Sequence, residues 1–237
     1  MKSPLNPTLV LLPGLDGTGR LFSYFLEQFL YKNRIVVTKY PPDQLLDYDQ
    51  LAAIVRRQLP KSTHFIIVAE SFAGPIAARL IEHPQLRGII FCASFLTPPQ
   101  PWLLEFVGQM PLPLLLRFPI PSFPLRVACF GFSCPEVILD SFRETLQLVK
   151  PEVISYRLHL LLNINDLWRI RKSPVPLGYL KASADQLVPA SKQLEIKRVF
   201  PPLETREITG SHFLLQTLPV AAKEAIFDLC ASMAQEI

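Results

Sequence analysis

The run His64-Phe65-Ile66-Ile67-Val68-Ala69-Glu70-Ser71-Phe72-Ala73-Gly74-Pro75 constrains this chain more than any other segment. Its apolar, β-branched middle reads as a strand buried on both faces. The strand stops at a serine with small residues around it: Ala69 two places before, Ala73 two after and Gly74 three after. A helical pattern, Ile76-Ala77-Ala78-Arg79-Leu80-Ile81, begins at once. Pro75 suits a first helical turn, where its missing N–H would have no intrahelical partner. A strand turning directly into a helix lifts the turn residue above the sheet edge, on a backbone too crowded for large neighbours. Such a junction belongs to an α/β layer architecture.

The rest of the chain repeats that alternation. Strands are predicted at 8–12, 35–38, 65–69, 88–92, 177–182 and 204–208, and helices at 18–30, 48–59, 72–82, 191–200 and 220–233. Near-continuous apolarity in the central runs suits a mainly parallel sheet covered by helices on both faces. A length of 237 residues can form one substantial core, and only nine glycines argue against a turn-dense all-β fold.

Residues 96–172 break the pattern. Nine of the 24 prolines fall between Pro98 and Pro135, among Trp102, Phe106, Phe118, Phe123, Phe130 and many leucines. Ser133 with Glu136 three residues on predicts a capping box. The helix it would open carries Ile138, Phe142, Leu146 and Val149 as one apolar stripe, and a second helix is predicted over 152–162. So much aromatic and aliphatic surface does not suit a disordered linker. The expected organisation is a core domain, 1–95 and 173–237, with a helical cap (lid) inserted at 96–172 after the fourth strand.

Several function classes drop out. The apolar fraction is 49% and mean hydropathy +0.27, yet apolar runs such as 112–116 are short and broken by proline. They fall far below the roughly 20 residues that span a bilayer, so no transmembrane segment is expected, and peripheral membrane contact stays open. Met1-Lys2-Ser3-Pro4-Leu5-Asn6-Pro7 has no apolar core of a secretory leader, which predicts a cytoplasmic location. Cys92, Cys129, Cys134 and Cys230 form no C-x-x-C pair, as expected of free thiols and not of disulfides or metal ligands. The net charge is +4 with scattered basic residues, and the densest group, Arg169, Arg171 and Lys172, lacks interleaved aromatics. No nucleic-acid partner is expected.

A serine hydroxyl is a poor nucleophile until a base takes its proton, and the base needs an acid to orient it. Of four histidines, His64 precedes a buried strand, His83 ends a helix before Pro84, and His159 lies in the insertion. His212 differs: it follows Ile208-Thr209-Gly210-Ser211 directly after the last predicted strand. Parallel strands all end on one side, so His212 is expected at the sheet edge that carries Ser71. Asp185 lies just past the penultimate strand, at the same edge, and is the acid candidate. Asp166 and Asp140 compete for that role but fall on or beside helices of the insertion. The order Ser71, Asp185, His212 is that of a G-x-S-x-G nucleophile elbow and its partners, with Ala69 and Ala73 in the glycine places.

The segment Leu9-Val10-Leu11-Leu12-Pro13-Gly14-Leu15-Asp16-Gly17-Thr18-Gly19 is a strand running into a glycine-rich loop. Such a loop can aim backbone N–H groups at a developing oxyanion, a contribution of about 3–4 kcal/mol per donor. The expected donors are the N–H groups of Leu15 and Phe72. Gly14 and Gly19 also have P-loop spacing, but Arg20 and Leu21 follow, so the phosphate-binding lysine and the magnesium-binding hydroxyl are both missing.

With these motifs in hand, the chain resembles the α/β-hydrolase superfamily of serine esterase/lipase type. The resemblance spans nearly the whole length: the Pro13-Gly14 loop, the Ser71 turn, Asp185-Gln186-Leu187-Val188-Pro189 and Gly210-Ser211-His212-Phe213. The wording at 12–19 and 70–75 is also similar to the plastid esterase/lipase/thioesterase group that makes phytyl esters, though this chain is far shorter. Three departures stand out. Pro13 replaces the usual histidine, alanines replace the elbow glycines, and the first strand starts too early for an N-terminal β-hairpin. The resemblance implies a six-stranded sheet in the family order 4-3-5-6-7-8 and ester cleavage through an acyl-enzyme on Ser71. His212 would be the base, Asp185 its partner, Leu15 and Phe72 the oxyanion donors, with no metal or organic cofactor. The apolar cap points to a small-molecule ester with a hydrophobic acyl or alcohol part. Thioester hydrolysis, acyl transfer, and cofactor-free elimination or C–C cleavage could use the same residues. A non-catalytic binding protein on this scaffold is the alternative from another class, and the oligomeric state is left open.

Overall fold

The computed structural model describes residues 8–30, 34–118 and 120–235; the leading segment 1–7, on which the leader reading rests, lies outside them. Six strands, β1 (Thr8–Leu12), β2 (Ile35–Val37), β3 (Phe65–Glu70), β4 (Leu86–Cys92), β5 (Leu177–Ala182) and β6 (Glu204–Ile208), form one sheet in the order β2-β1-β3-β4-β5-β6. All five pairings are parallel. This is the strand order the resemblance implied: β1 lies between β2 and β3, so the connection from β2 to β3 crosses over β1.

Alternate side chains of the strands enter two separate cores, as the two-residue period of a strand requires. Val10, Ile67, Ile89 and Tyr179 face one side, packing on α2 (Tyr48–Gln58), α3 (Gly74–Ala78) and α10 (Ser191–Val199) through Leu51, Ile76 and Ile196. Leu11, Ile66, Ile90 and Leu180 face the other, against α1 (Ser23–Leu26), α11 (Leu214–Thr217) and α12 (Pro219–Gln235) through Phe25, Leu215 and Ile226. Helix α2 starts on a reciprocal cap. The Asp47 carboxylate accepts from the Gln50 N–H (2.8 Å), and the Gln50 side chain accepts from the Asp47 N–H (3.0 Å).

Two helices are shorter than predicted. The helix expected over 18–30 reduces to a 3-10 turn, Arg20–Phe22, followed by α1. Asp16 accepts from the N–H and hydroxyl of Thr18 (2.8 and 2.5 Å), and Gly17 and Gly19 both take left-handed conformations (φ 72°), so this stretch is loop. The helix expected over 72–82 is α at Gly74–Ala78 only; beyond it the chain tightens to i→i−3 bonds such as Leu80 N–H to Ala77.

Between β4 and β5 lie α4 (Pro101–Gly108), α5 (Leu112–Leu115), α6 (Ser122–Leu125), α7 (Glu136–Gln147), α8 (Pro151–Leu160) and α9 (Leu167–Ile170). The predicted Ser133/Glu136 capping box does not form. Pro135 stands at the N-cap of α7, and Glu136 is drawn away to Ser122, Arg126 and Arg143. The strong charge-assisted partners outcompete a capping bond. An ion-pair cluster ties the end of the insertion to the core: Arg79 on the core side meets Asp49 (2.5 Å) and Asp166, and Arg169 meets Asp166 (2.9 Å).

The junction of β3 with α3 is packed without slack. A Cβ placed on Gly74 would stand 2.4 Å from both the Phe95 carbonyl oxygen and the Ser94 Oγ, whereas one on Gly14 would find ordinary contacts at 3.7 and 3.8 Å. Gly74→Ala is therefore expected to lower the unfolding free energy by about 1–3 kcal/mol. Gly14→Ala should stay within about 1 kcal/mol. Chemical denaturation of the two variants checks this, and equal stabilities would contradict the packing argument.

Candidate active site

The β3–α3 junction holds Ser71 at φ 48°, a left-handed conformation costing a non-glycine residue about 1–3 kcal/mol. The surroundings maintain it. The Ser94 hydroxyl donates to the Ser71 carbonyl (2.5 Å), and the Tyr179 hydroxyl donates to the Ser94 carbonyl (2.7 Å). Ala69 and Ala73, in the places where glycines were expected, are both fully buried. The strained turn is what projects the serine side chain beyond the strand ends.

Two other turns reach the same edge. After β5, Asp185 accepts through Oδ1 from the N–H groups of Leu187 (2.9 Å) and Val188 (2.8 Å), which fixes the carboxylate plane. Its Oδ2 lies 2.8 Å from His212 Nδ1, and His212 Nε2 lies 2.9 Å from Ser71 Oγ. With the carboxylate accepting at Nδ1–H, Nε2 is left to accept the serine proton. His212 is 2% exposed. Burial pulls its pKa down, but the Asp185 charge, its hydrogen bond and the Glu70 charge outweigh this, and the net shift is upward. The structure thus brings Ser71, Asp185 and His212 together in one hydrogen-bonded line.

The residues set aside in the sequence reading lie elsewhere. His64 contacts Arg87, the His83 ring packs against Phe65, and His159 Nδ1 bonds the Ser155 carbonyl. Asp140 pairs with Arg143, and Asp166 belongs to the Arg79 cluster. Of the expected oxyanion donors, Phe72 belongs to the serine turn, and Leu15 follows Gly14, which stands against it. A Cβ on Gly14 would stand 3.8 Å from the Ser71 Cβ.

Apolar residues pack against two neighbours of the line, Phe213 and Leu15. Phe213, next to His212, stacks on Phe130 of the insertion at 4.3 Å, with Phe142 edge-on at 5.5 Å. In the glycine loop, Leu15 packs with Val149, Val153 and Ile154. A separate cavity of about 540 Å³ opens behind Phe72, lined by polar groups including Tyr48, Arg79, His159 and Asp166. Tyr48 stacks on Phe72 at 4.9 Å, and none of the three triad-like residues lines that cavity. Among the described residues no group of histidines, cysteines and carboxylates is placed to hold a metal ion, and no helix is long and apolar enough to cross a membrane.

Sequence reasoning missed a polar layer beneath this line. Glu70, beside the serine, is 3% exposed; it accepts from Gln216 Nε2 (2.9 Å) and takes a backbone hydrogen bond from Gly14. One carboxylate therefore joins the serine turn, the glycine loop and the helix after His212. Burial pushes it up to about 7 from an ordinary 4.5, against the Gln216 bond and the His212 charge. The only cue in the sequence is polarity out of place: Glu70 ends an apolar strand, and Gln216 interrupts Phe213-Leu214-Leu215-x-Thr217-Leu218.

No protein-family model matches this sequence, and no protein of curated function is significantly similar to it. Solved structures are similar in fold. A carboxylesterase structure from the ammonia-oxidizing thaumarchaeon Nitrososphaera gargenis matches with a TM-score of 0.78, covering 100% of this chain and 99% of its own at 18% identity. A lipase-esterase related protein from Clostridium acetobutylicum matches at TM-score 0.74 and 15% identity, covering 96% of this chain and 95% of its own. A bromoperoxidase from Bacillus anthracis matches at 0.71 and 15%, covering 98% and 92%. The chain has the α/β-hydrolase fold.

Glu70 gives this site a pH signature in stability. Between pH 4.5 and about 7 the folded protein keeps a proton that the unfolded chain releases, so the contribution of Glu70 falls across that window. Glu70→Gln does not titrate. Its melting temperature relative to the parent should therefore rise from pH 5 to pH 8 and then level off, with a free-energy span of up to about 3 kcal/mol. Thermal melts of both proteins across that range test it; a pH-independent difference would contradict a raised pKa.

Proposed function

We propose that this protein is a serine hydrolase that cleaves carboxylic esters through an acyl-enzyme on Ser71. The observation that carries the reading is the unbroken line Asp185–His212–Ser71, with steps of 2.8 and 2.9 Å. Fold alone could not carry it, since esterases and a bromoperoxidase share the architecture.

In this reading Ser71 Oγ attacks the ester carbonyl carbon while its proton passes to His212 Nε2. Asp185 stays ionised, holds the imidazole in the right tautomer and stabilises the imidazolium. The N–H groups of Leu15 and Phe72 receive the oxyanion. The tetrahedral species collapses as His212 returns the proton to the leaving alcohol, leaving Ser71 acylated. Water, activated by the same imidazole, then releases the acid and restores the serine. No step calls for a metal or organic cofactor.

Residues 96–172 act as a cap over the strand ends. Phe130 and Phe142 pack on Phe213, the neighbour of His212, and Val149, Val153 and Ile154 pack with Leu15 of the glycine loop, so the cap brings apolar surface to both loops of the site. Such surface suits a small ester whose acyl or alcohol part is hydrophobic.

Ser71→Ala is expected to lower kcat/KM for p-nitrophenyl butyrate by at least about 10⁴-fold while leaving the melting temperature close to that of the parent. Turnover by the variant at a comparable rate would overturn the assignment. The rate should also fall as pH drops through the His212 pKa, because the protonated imidazole cannot accept from serine. That pKa is raised above 6.5. A kcat/KM profile from pH 5 to 9 should show its acid limb above pH 6.5, and a flat profile would exclude a histidine base.

A further inference from the structure

We propose that Arg157, carried by helix α8 of the insertion, is a positioning residue for the oxyanion hole. This deepens the esterase reading above and rests on it. Arg157 is 1% exposed, although it comes from a helix outside the core. Its guanidinium spends its donors on backbone alone: Nη1 donates to the carbonyls of Leu15 (2.8 Å) and Asp16 (2.7 Å), and Nη2 to that of Pro41 (2.9 Å). It also lies over the Tyr40 ring, 5.5 Å from the centroid.

These bonds complete a pattern in the glycine loop. The Tyr40 hydroxyl donates to the Pro13 carbonyl (3.0 Å), the Gly17 N–H to Gly14 (3.2 Å), Arg157 to Leu15 and Asp16, and the Tyr40 N–H to Gly17 (2.7 Å). Every carbonyl from Pro13 to Gly17 is thus held. In a trans peptide the N–H points opposite to the carbonyl, so fixing one aims the other. Arg157 turns the Asp16 carbonyl toward itself, which sends the Gly17 N–H of the same peptide back to Gly14. That bond in turn fixes the Gly14 carbonyl and leaves the Leu15 N–H on the opposite side. Gly14 stands against Ser71 and Glu70, so the peptide that carries the Leu15 N–H borders the serine turn.

The clamp makes a helix of the insertion part of the machinery that shapes the hole, and not merely a wall of the pocket. Lysine has one nitrogen and cannot span carbonyls of both the loop and Pro41 as a planar guanidinium does. Gly17 is shaped to the same contact: a Cβ there would stand 2.8 Å from Arg157 Nη1, in a left-handed conformation.

The test uses the full chain with Arg157→Met and Arg157→Lys. Each is assayed for kcat and KM on p-nitrophenyl butyrate and for inhibition by an alkyl trifluoromethyl ketone, whose serine adduct is an oxyanion. The inference expects Arg157→Met to lose about 10²-fold in kcat, with KM within about threefold. Affinity for the ketone should weaken in step with kcat, and Arg157→Lys should recover part of both. If Arg157→Met does not fold, the lysine variant carries the test, with a loss confined to kcat and ketone affinity. Folded variants with unchanged kcat, or a loss confined to KM, or ketone affinity equal to the parent's, would overturn the role. Absence of ester turnover by the parent protein would instead overturn the esterase reading, and this inference with it.

Discussion

The site depends on one strained residue. A serine at φ 48° is held there by a neighbouring strand end: Ser94 bonds its carbonyl, Tyr179 braces Ser94, and Gly74 lets Phe95 and Ser94 approach to distances that a methyl group would forbid. Strain of this kind persists only where the surroundings over-determine it. Here they are β4, β5 and the first turn of α3. The parallel sheet supplies the rest, because its strands all deliver their following turns to one edge. Asp185 and His212 arrive at that edge after β5 and β6, more than a hundred residues downstream of the serine.

A second feature is how little of the site is left to side-chain freedom. Asp185 is bound through both oxygens, one by backbone N–H groups and the other by the imidazole. Beneath the line, Glu70 links three separate segments, at the energetic cost of a carboxylate taken out of water. Arg157 performs the corresponding task on the outer side of the glycine loop. Two buried ionisable groups, Glu70 and Arg157, thus hold the same loop through its backbone. Preorganisation of this kind is what makes backbone dipoles effective against a developing charge.

Much of this was legible in the sequence where the determinant was local. Three of the six strands begin and end where the sequence predicts them, and the strand order follows the family resemblance. The meeting of Ser71, Asp185 and His212 was readable because each stands within a few residues of the end of a parallel strand. Other features depend on side-chain partners that propensity and periodicity do not reveal. The helix over 18–30 shortens because the Asp16 and Thr18 side chains bind their own loop, and the Ser133/Glu136 cap yields to Arg126 and Arg143. Arg157 gave no signal, since a lone arginine in a predicted helix reads as a solvated one until the loop it reaches, 141 residues away, is in place. Glu70 and Gln216 were visible only as polar residues in apolar runs.

The central claim is that His212 activates Ser71 for attack, and covalent labelling tests it most directly. Treatment with a fluorophosphonate, followed by peptide mass spectrometry, should place a single adduct on Ser71 in the parent protein, while His212→Ala should label at least about 10³-fold more slowly. An adduct on another residue, or equal labelling rates with and without the imidazole, would contradict the account.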